Sequence, residues 1–135
     1  MTPLEKDHLF VYGTLLKDTG HEMSRFLLEH AQLTGDGYFY GKLFKVDNYP
    51  GAILSDDSKD KVYGSIYQLS NTICVFEVLD SYEGIDPSST EPDLYKRIKV
   101  NTYLKDGSAL LSWVYIYNLD TEHLEQIHSG NYLTP

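Results

Sequence analysis

The segment from Tyr95 to Asn118 constrains the fold of this chain most. Residues Tyr95 to Leu104 alternate in the manner of a strand, with Arg97 and Lys99 on one face. Asp106-Gly107 then turns the chain, and Ala109 to Asn118 return. An Asp-Gly pair between two alternating runs is a strong local signal for a β-hairpin, because the tight turn needs positive φ. Any fold for this sequence must hold an antiparallel ribbon of about ten residues per arm, which needs further strands to bury its apolar face.

Those strands are legible upstream. His8 to Tyr12 is a short apolar run that stops at Gly13 and reads as a buried strand. Met23, Phe26 and Leu27, with Leu28 beside them, have the three- and four-residue spacing of an amphipathic helix over 21–30. Gly35-Asp36-Gly37 reads as a turn, and 38–46 as a strand with a bulge near Gly41. Asn48-Tyr49-Pro50-Gly51 signals a second turn before a short strand at 52–54 and a charged loop at 56–61. Val62 to Leu69 form a strand in which Gly64 allows a close approach of another backbone or a ligand. Ser70 or Asn71 can cap a heavily apolar helix through Ile73, Phe76 and Leu79 that ends at Gly84. A proline-containing loop at 85–93 precedes the hairpin, and a last short helix is expected over 121–127. The 135 residues carry no repeat or linker, so one domain over 1–135 is expected. The irregular strand–helix order with hairpins predicts an α+β fold, a small mostly antiparallel β-barrel or curled sheet with a few helices.

Composition excludes several functions. Twenty acidic against eleven basic residues give a net charge of −9. This opposes binding through nucleic-acid phosphates, which needs clustered cations, and adhesion to an anionic membrane. A small polar ligand remains compatible. No segment approaches the roughly 18 apolar residues of a membrane span, and no apolar signal core stands at the N-terminus; a cytoplasmic protein is expected. Cys74 is the single cysteine, read as a buried, inert thiol. His123 and His128 lack the companions of a metal site. Twelve tyrosines against five phenylalanines and one tryptophan suit strands with half-wet faces.

Two segments carry candidate chemistry. Phe10-Val11-Tyr12-Gly13-Thr14-Leu15 is a strand ending at a glycine, where backbone N–H groups are freed beside a hydroxyl. Leu79-Asp80-Ser81-Tyr82-Glu83-Gly84 puts a glutamate among apolar and aromatic residues at a helix end. Asp80 and Glu83, three apart, would share one helix face. Mutual repulsion, apolar neighbours and the negative helix C-terminus all favour a protonated glutamate fit for proton transfer near neutral pH. On this pattern alone, acids that merely decorate a helix end are the commoner case.

The ordered set of motifs resembles the γ-glutamylcyclotransferase-like, or AIG2-like, family, in the short bacterial-type branch that includes γ-glutamylamine cyclotransferases. The N-terminal signature is similar to Val11-Tyr12-Gly13-Thr14-Leu15 and the acidic one to Leu79-Asp80-Ser81-Tyr82-Glu83-Gly84. Tyr49-Pro50-Gly51-Ala52, Val62-Tyr63-Gly64-Ser65-Ile66-Tyr67, Tyr95-Lys96-Arg97, Trp113-Val114-Tyr115 and Ile127-His128-Ser129-Gly130-Asn131-Tyr132 follow in family order. The resemblance implies a small mixed β-barrel flanked by helices. It implies cyclisation of a γ-glutamyl amine or γ-glutamyl amino acid to 5-oxoproline with release of the amine, without metal or organic cofactor. Glu83 matches the catalytic acid/base; Tyr12, Gly13, Thr14, Leu15 and Tyr95 match substrate-binding positions. Two alternatives share the fold: a non-catalytic metabolite binder, and a remover of γ-glutamyl protecting groups in a biosynthetic pathway. Gly20, and Asn131-Tyr132 where an acidic residue and tryptophan are common, depart from the pattern on the side of specificity. The leaving amine and the oligomeric state stay open.

Overall fold

The computed structural model describes residues 7–12, 29–46, 50–70, 72–82 and 95–131. Strands β1 (His8–Val11), β2 (Ala31–Lys45), β3 (Pro50–Leu54) and β4 (Lys61–Leu69) precede helix α1 (Thr72–Tyr82). Strands β5 (Tyr95–Leu104), β6 (Ala109–Tyr117) and β7 (Glu125–Gln126) follow. Among the described residues, β2, β4, β1, β6 and β5 pair in that order, and β5 returns to β2, closing a barrel. Among the described strands β1 and β6 run parallel and the other pairings are antiparallel. The α+β barrel expected from the sequence is the observed architecture.

Period-two alternation divides the apolar residues between two cores. Phe10, Phe39, Val62, Ile66, Val114 and Ile116 fill one cluster, with Phe10 edge-on to Phe39 at 5.2 Å between ring centroids. Their neighbours Leu9, Val11, Tyr67, Leu69, Tyr115 and Tyr117 point the other way and pack against Val75, Phe76 and Leu79 of α1. Strand β1 is buried on both faces because its odd positions meet the helix and Phe10 meets the barrel strands. The helix uses one stripe only: Ile73 is 75% exposed, so α1 is less buried than its run of apolar residues suggests. Cys74 is half-buried, not fully buried as expected.

Three further expectations are corrected. Gly35-Asp36-Gly37 is not a turn but part of β2, where the ladder to β4 shifts register between Leu33 and Gly35. Gly37 faces Leu104 across the closing seam, and a Cβ there would run into the Tyr103 carbonyl. The glycine is what lets the barrel close. Gly41 marks no bulge; β2 changes partner there, from Lys61 of β4 opposite Tyr40 to Leu54 of β3 opposite Gly41. Residues 121–127 form no helix. The edge of β2 offers unpaired backbone groups, and β7 takes them, with Gln126 opposite Phe44 and Ile127 N–H donating to the Leu43 carbonyl at 2.7 Å. Leu124 and Ile127 mimic helical spacing but pack against different clusters.

Pro50 and Gly51, expected in a turn, open β3. Gly64 behaves as expected, since a Cβ there would collide with the Val11 carbonyl of β1. Ser70 donates its hydroxyl to the His30 carbonyl at 2.7 Å, which ties the start of α1 to the residue before β2. The alternative cap, Asn71, lies outside the described residues, as do all but the last two positions of the expected 21–30 helix and the loop at 85–93. Residues 29 and 30 are helical.

Candidate functional site

The hairpin register fixes one face of the barrel wall. Tyr95 lies opposite Tyr117, Arg97 opposite Tyr115, and Lys99 opposite Trp113. All six side chains therefore project to the same side, the side on which α1 packs. Tyr95 meets Tyr117 edge-on at 5.9 Å. The Arg97 guanidinium lies 3.9 Å from the Phe76 ring centroid and 4.7 Å from that of Trp113. Trp113 in turn donates its indole N–H to Asp7 at 3.2 Å.

Asp80, in the last turn of α1, is the polar focus of this face. Arg97 donates from Nε to Asp80 Oδ1 at 2.9 Å and from a terminal nitrogen to Oδ2 at 3.1 Å. The Tyr115 hydroxyl donates to the same Oδ1 at 2.6 Å. A two-pronged guanidinium pair of this kind is among the stronger protein hydrogen-bonded contacts, with both groups about three-quarters buried here. The charge of Asp80 is thus compensated by Arg97, while Glu83, on which the sequence-based repulsion argument turned, lies outside the described residues.

Tyr115 also reaches the N-terminal motif. Its backbone carbonyl accepts the hydroxyl of Tyr12, the residue immediately before Gly13. The Tyr12 oxygen accepts in turn from Ala52 N–H at 3.1 Å. Tyr95 reaches the same strand, donating its hydroxyl to the Pro50 carbonyl at 2.5 Å. Two of the sequence-derived binding residues, Tyr12 and Tyr95, are therefore brought together on the backbone of β3, and each uses its hydroxyl there. Gly13, Thr14, Leu15 and Glu83 lie outside the described residues. Arg97, Tyr115 and Asp80 were given no binding role from the sequence. A two-residue turn at Asp106-Gly107 would have set Arg97 opposite Ile116. The loop in fact spans residues 105–107, closed by Leu104 N–H donating to the Ser108 carbonyl at 3.0 Å, and this one-residue shift is what sets Arg97 opposite Tyr115.

Two other polar groups are distinct from this cluster. Burial, and secondarily the nearby Asp36 carboxylate, push the Tyr67 phenol above its ordinary pKa. Hydrogen bonds from the Ser108 hydroxyl and N–H hold the Asp106 carboxyl below the usual range and fasten the hairpin turn.

Comparison with known proteins gives a consistent result. The model of the family described as γ-glutamyl cyclotransferase, AIG2-like, matches residues 9–134. The γ-glutamylcyclotransferase family protein ytfP of Citrobacter rodentium is 31% identical over 127 residues, covering 93% of this chain and 94% of that protein. The solution structure of ytfP from Escherichia coli superposes with a TM-score of 0.63 at 26% identity, covering 94% of this chain and 96% of that one. An aig2-like protein from Mus musculus gives a TM-score of 0.63 at 23% identity over 96% of each chain, a likeness of fold.

Proposed function

Because this chain belongs to the γ-glutamyl cyclotransferase, AIG2-like, family, we propose that it cyclises a γ-glutamyl amine or γ-glutamyl amino acid to 5-oxoproline. The supporting observation is Tyr115, which holds the residue before Gly13 through its carbonyl and the residue three before Glu83 through its hydroxyl. The described residues that border the two motifs are thus tied to one residue, which supports reading the motifs as halves of a single site.

In this reading the substrate's α-ammonium gives a proton to Glu83, and the freed amine attacks the γ-carbonyl. A carbon–nitrogen bond forms to close the five-membered ring, and Glu83 returns the proton to the leaving nitrogen as the bond from the γ-carbon to that nitrogen breaks. The second proton lost by the ring nitrogen passes to the released amine, which departs as an ammonium ion. No water is consumed. Amine and carbonyl belong to one molecule, so holding the substrate in its folded conformer supplies most of the proximity advantage. Backbone N–H groups of Gly13, Thr14 and Leu15 would hold the glutamyl part and stabilise the oxyanion that develops, a contribution of about 3 kcal/mol per donor in comparable sites. General acid/base assistance adds roughly 10²–10⁴-fold. Tyr12 and Tyr95 would support the site by fixing β3 through their hydroxyls.

Glu83→Gln keeps the shape of the side chain and removes its basicity. We expect 5-oxoproline release to be abolished while the melting temperature changes little. Wild-type turnover in that variant would rule out Glu83 as the acid/base.

A further inference from the structure

We infer that Asp80, gripped by Arg97 and Tyr115, is a positioning residue that fixes the end of α1 for the acid that follows it; the inference rests on the acid/base role proposed for Glu83. By local physics Asp80 is badly placed. The last turn of a helix presents unsatisfied carbonyls and a partial negative charge, which favour a cation and disfavour a carboxylate. The last turn of α1 contains no basic residue of its own. The missing cation comes from β5: Arg97 closes its fork on Asp80 and lies against Phe76, one turn earlier on the same helix. Tyr115, opposite Arg97 in the ladder, adds a second donor to the same carboxylate. Two cross-strand neighbours on a rigid wall therefore hold one side chain of the last turn from two directions. Trp113 backs the guanidinium from the next pair along.

Helix ends fray unless something holds them. Glu83 is next in the chain after Tyr82, the last described residue of α1, so the stretch held by this grip is the one to which Glu83 is joined. Displacing a catalytic group by about 1 Å can cost on the order of 10²-fold in rate. Lysine at position 97 would keep the charge but not the planar fork, and would not replace arginine here.

The test uses the full chain with Asp80→Asn, Tyr115→Phe, Arg97→Lys and the Asp80→Asn/Tyr115→Phe double variant, each assayed well below its melting temperature. We expect each single variant to lower kcat for 5-oxoproline release by about 10–100-fold, with KM changed far less. We expect the double variant to be little worse than its weaker parent, because both changes break one contact. Amide hydrogen exchange over residues 81–84 should accelerate, while that of Val114 to Ile116 stays slow. If Asp80→Asn does not fold, Tyr115→Phe, which removes a single hydroxyl, carries the test. Unchanged exchange at 81–84 overturns the grip. Faster exchange with unchanged kcat overturns its role in catalysis. Should the wild-type protein release no 5-oxoproline from any substrate, the cyclotransferase reading falls, and exchange alone decides whether Asp80 holds the helix end.

Discussion

At the scale of single residues, the hydroxyls of Tyr12 and Tyr95 are structural ties as much as candidate ligand contacts. Tyr12 accepts from Ala52 and donates to Tyr115, which leaves its oxygen engaged on both sides. Tyr12→Phe removes both bonds and leaves a donor and an acceptor without this partner, at a cost of about 1–3 kcal/mol. The expected result is a lower urea midpoint at unchanged slope; an unshifted midpoint would mean that the hydroxyl links nothing. The sequence marks both tyrosines as site residues through motif resemblance, but it holds no local signal for what their oxygens touch. Those partners lie 40 to 103 positions away, and only barrel closure brings them into reach. Asp80 is similar. Its charge is visible in the sequence, whereas its pairing depends on how α1 docks on the hairpin.

At the scale of elements, legibility follows how local the determinants are. The hairpin of β5 and β6 turns locally, through residues 105–107 with Gly107 at positive φ, and its observed bounds agree with the alternation to within one residue. The third loop residue shifts the register by one from that of a bare Asp-Gly turn. Strand β2 is misread because its glycines serve distant backbones: Gly37 makes room for Tyr103, and Gly41 sits where the strand changes partner. The expected helix at 121–127 fails for the converse reason, as an open strand edge outcompetes a weak local preference. Gly37→Ala should therefore destabilise strongly, by about 3 kcal/mol, the upper end of forced overpacking, because the obstacle is backbone and cannot swing aside. Gly107→Ala provides the control. Its φ of +89° strains any side chain, yet nothing lies within 4 Å, so a loss of only about 1–2 kcal/mol is expected. Thermal unfolding of the two variants separates them. A Gly37→Ala protein as stable as wild type would contradict the account of closure.

At the scale of the whole molecule, one closed barrel organises both candidate segments. Its outer wall between β2, β4 and β5 carries Tyr38, Tyr40, Tyr63 and Tyr103 with rings 5.3–6.0 Å apart, which accounts for part of the tyrosine excess. Among the described residues, no helix is long and apolar enough to cross a membrane. The side bearing α1 joins the strand that leads into Gly13 to the helix that leads into Glu83, through Tyr115. The central claim is that this arrangement closes a ring by intramolecular transfer to nitrogen and does not cleave an amide with water. Proton NMR of a panel of γ-glutamyl amines and γ-glutamyl amino acids, incubated with the wild-type protein, tests it most directly. The account predicts 5-oxoproline and free amine appearing in equal amounts, with no glutamate. Glutamate in place of 5-oxoproline, or no turnover of any member by folded protein, would contradict it.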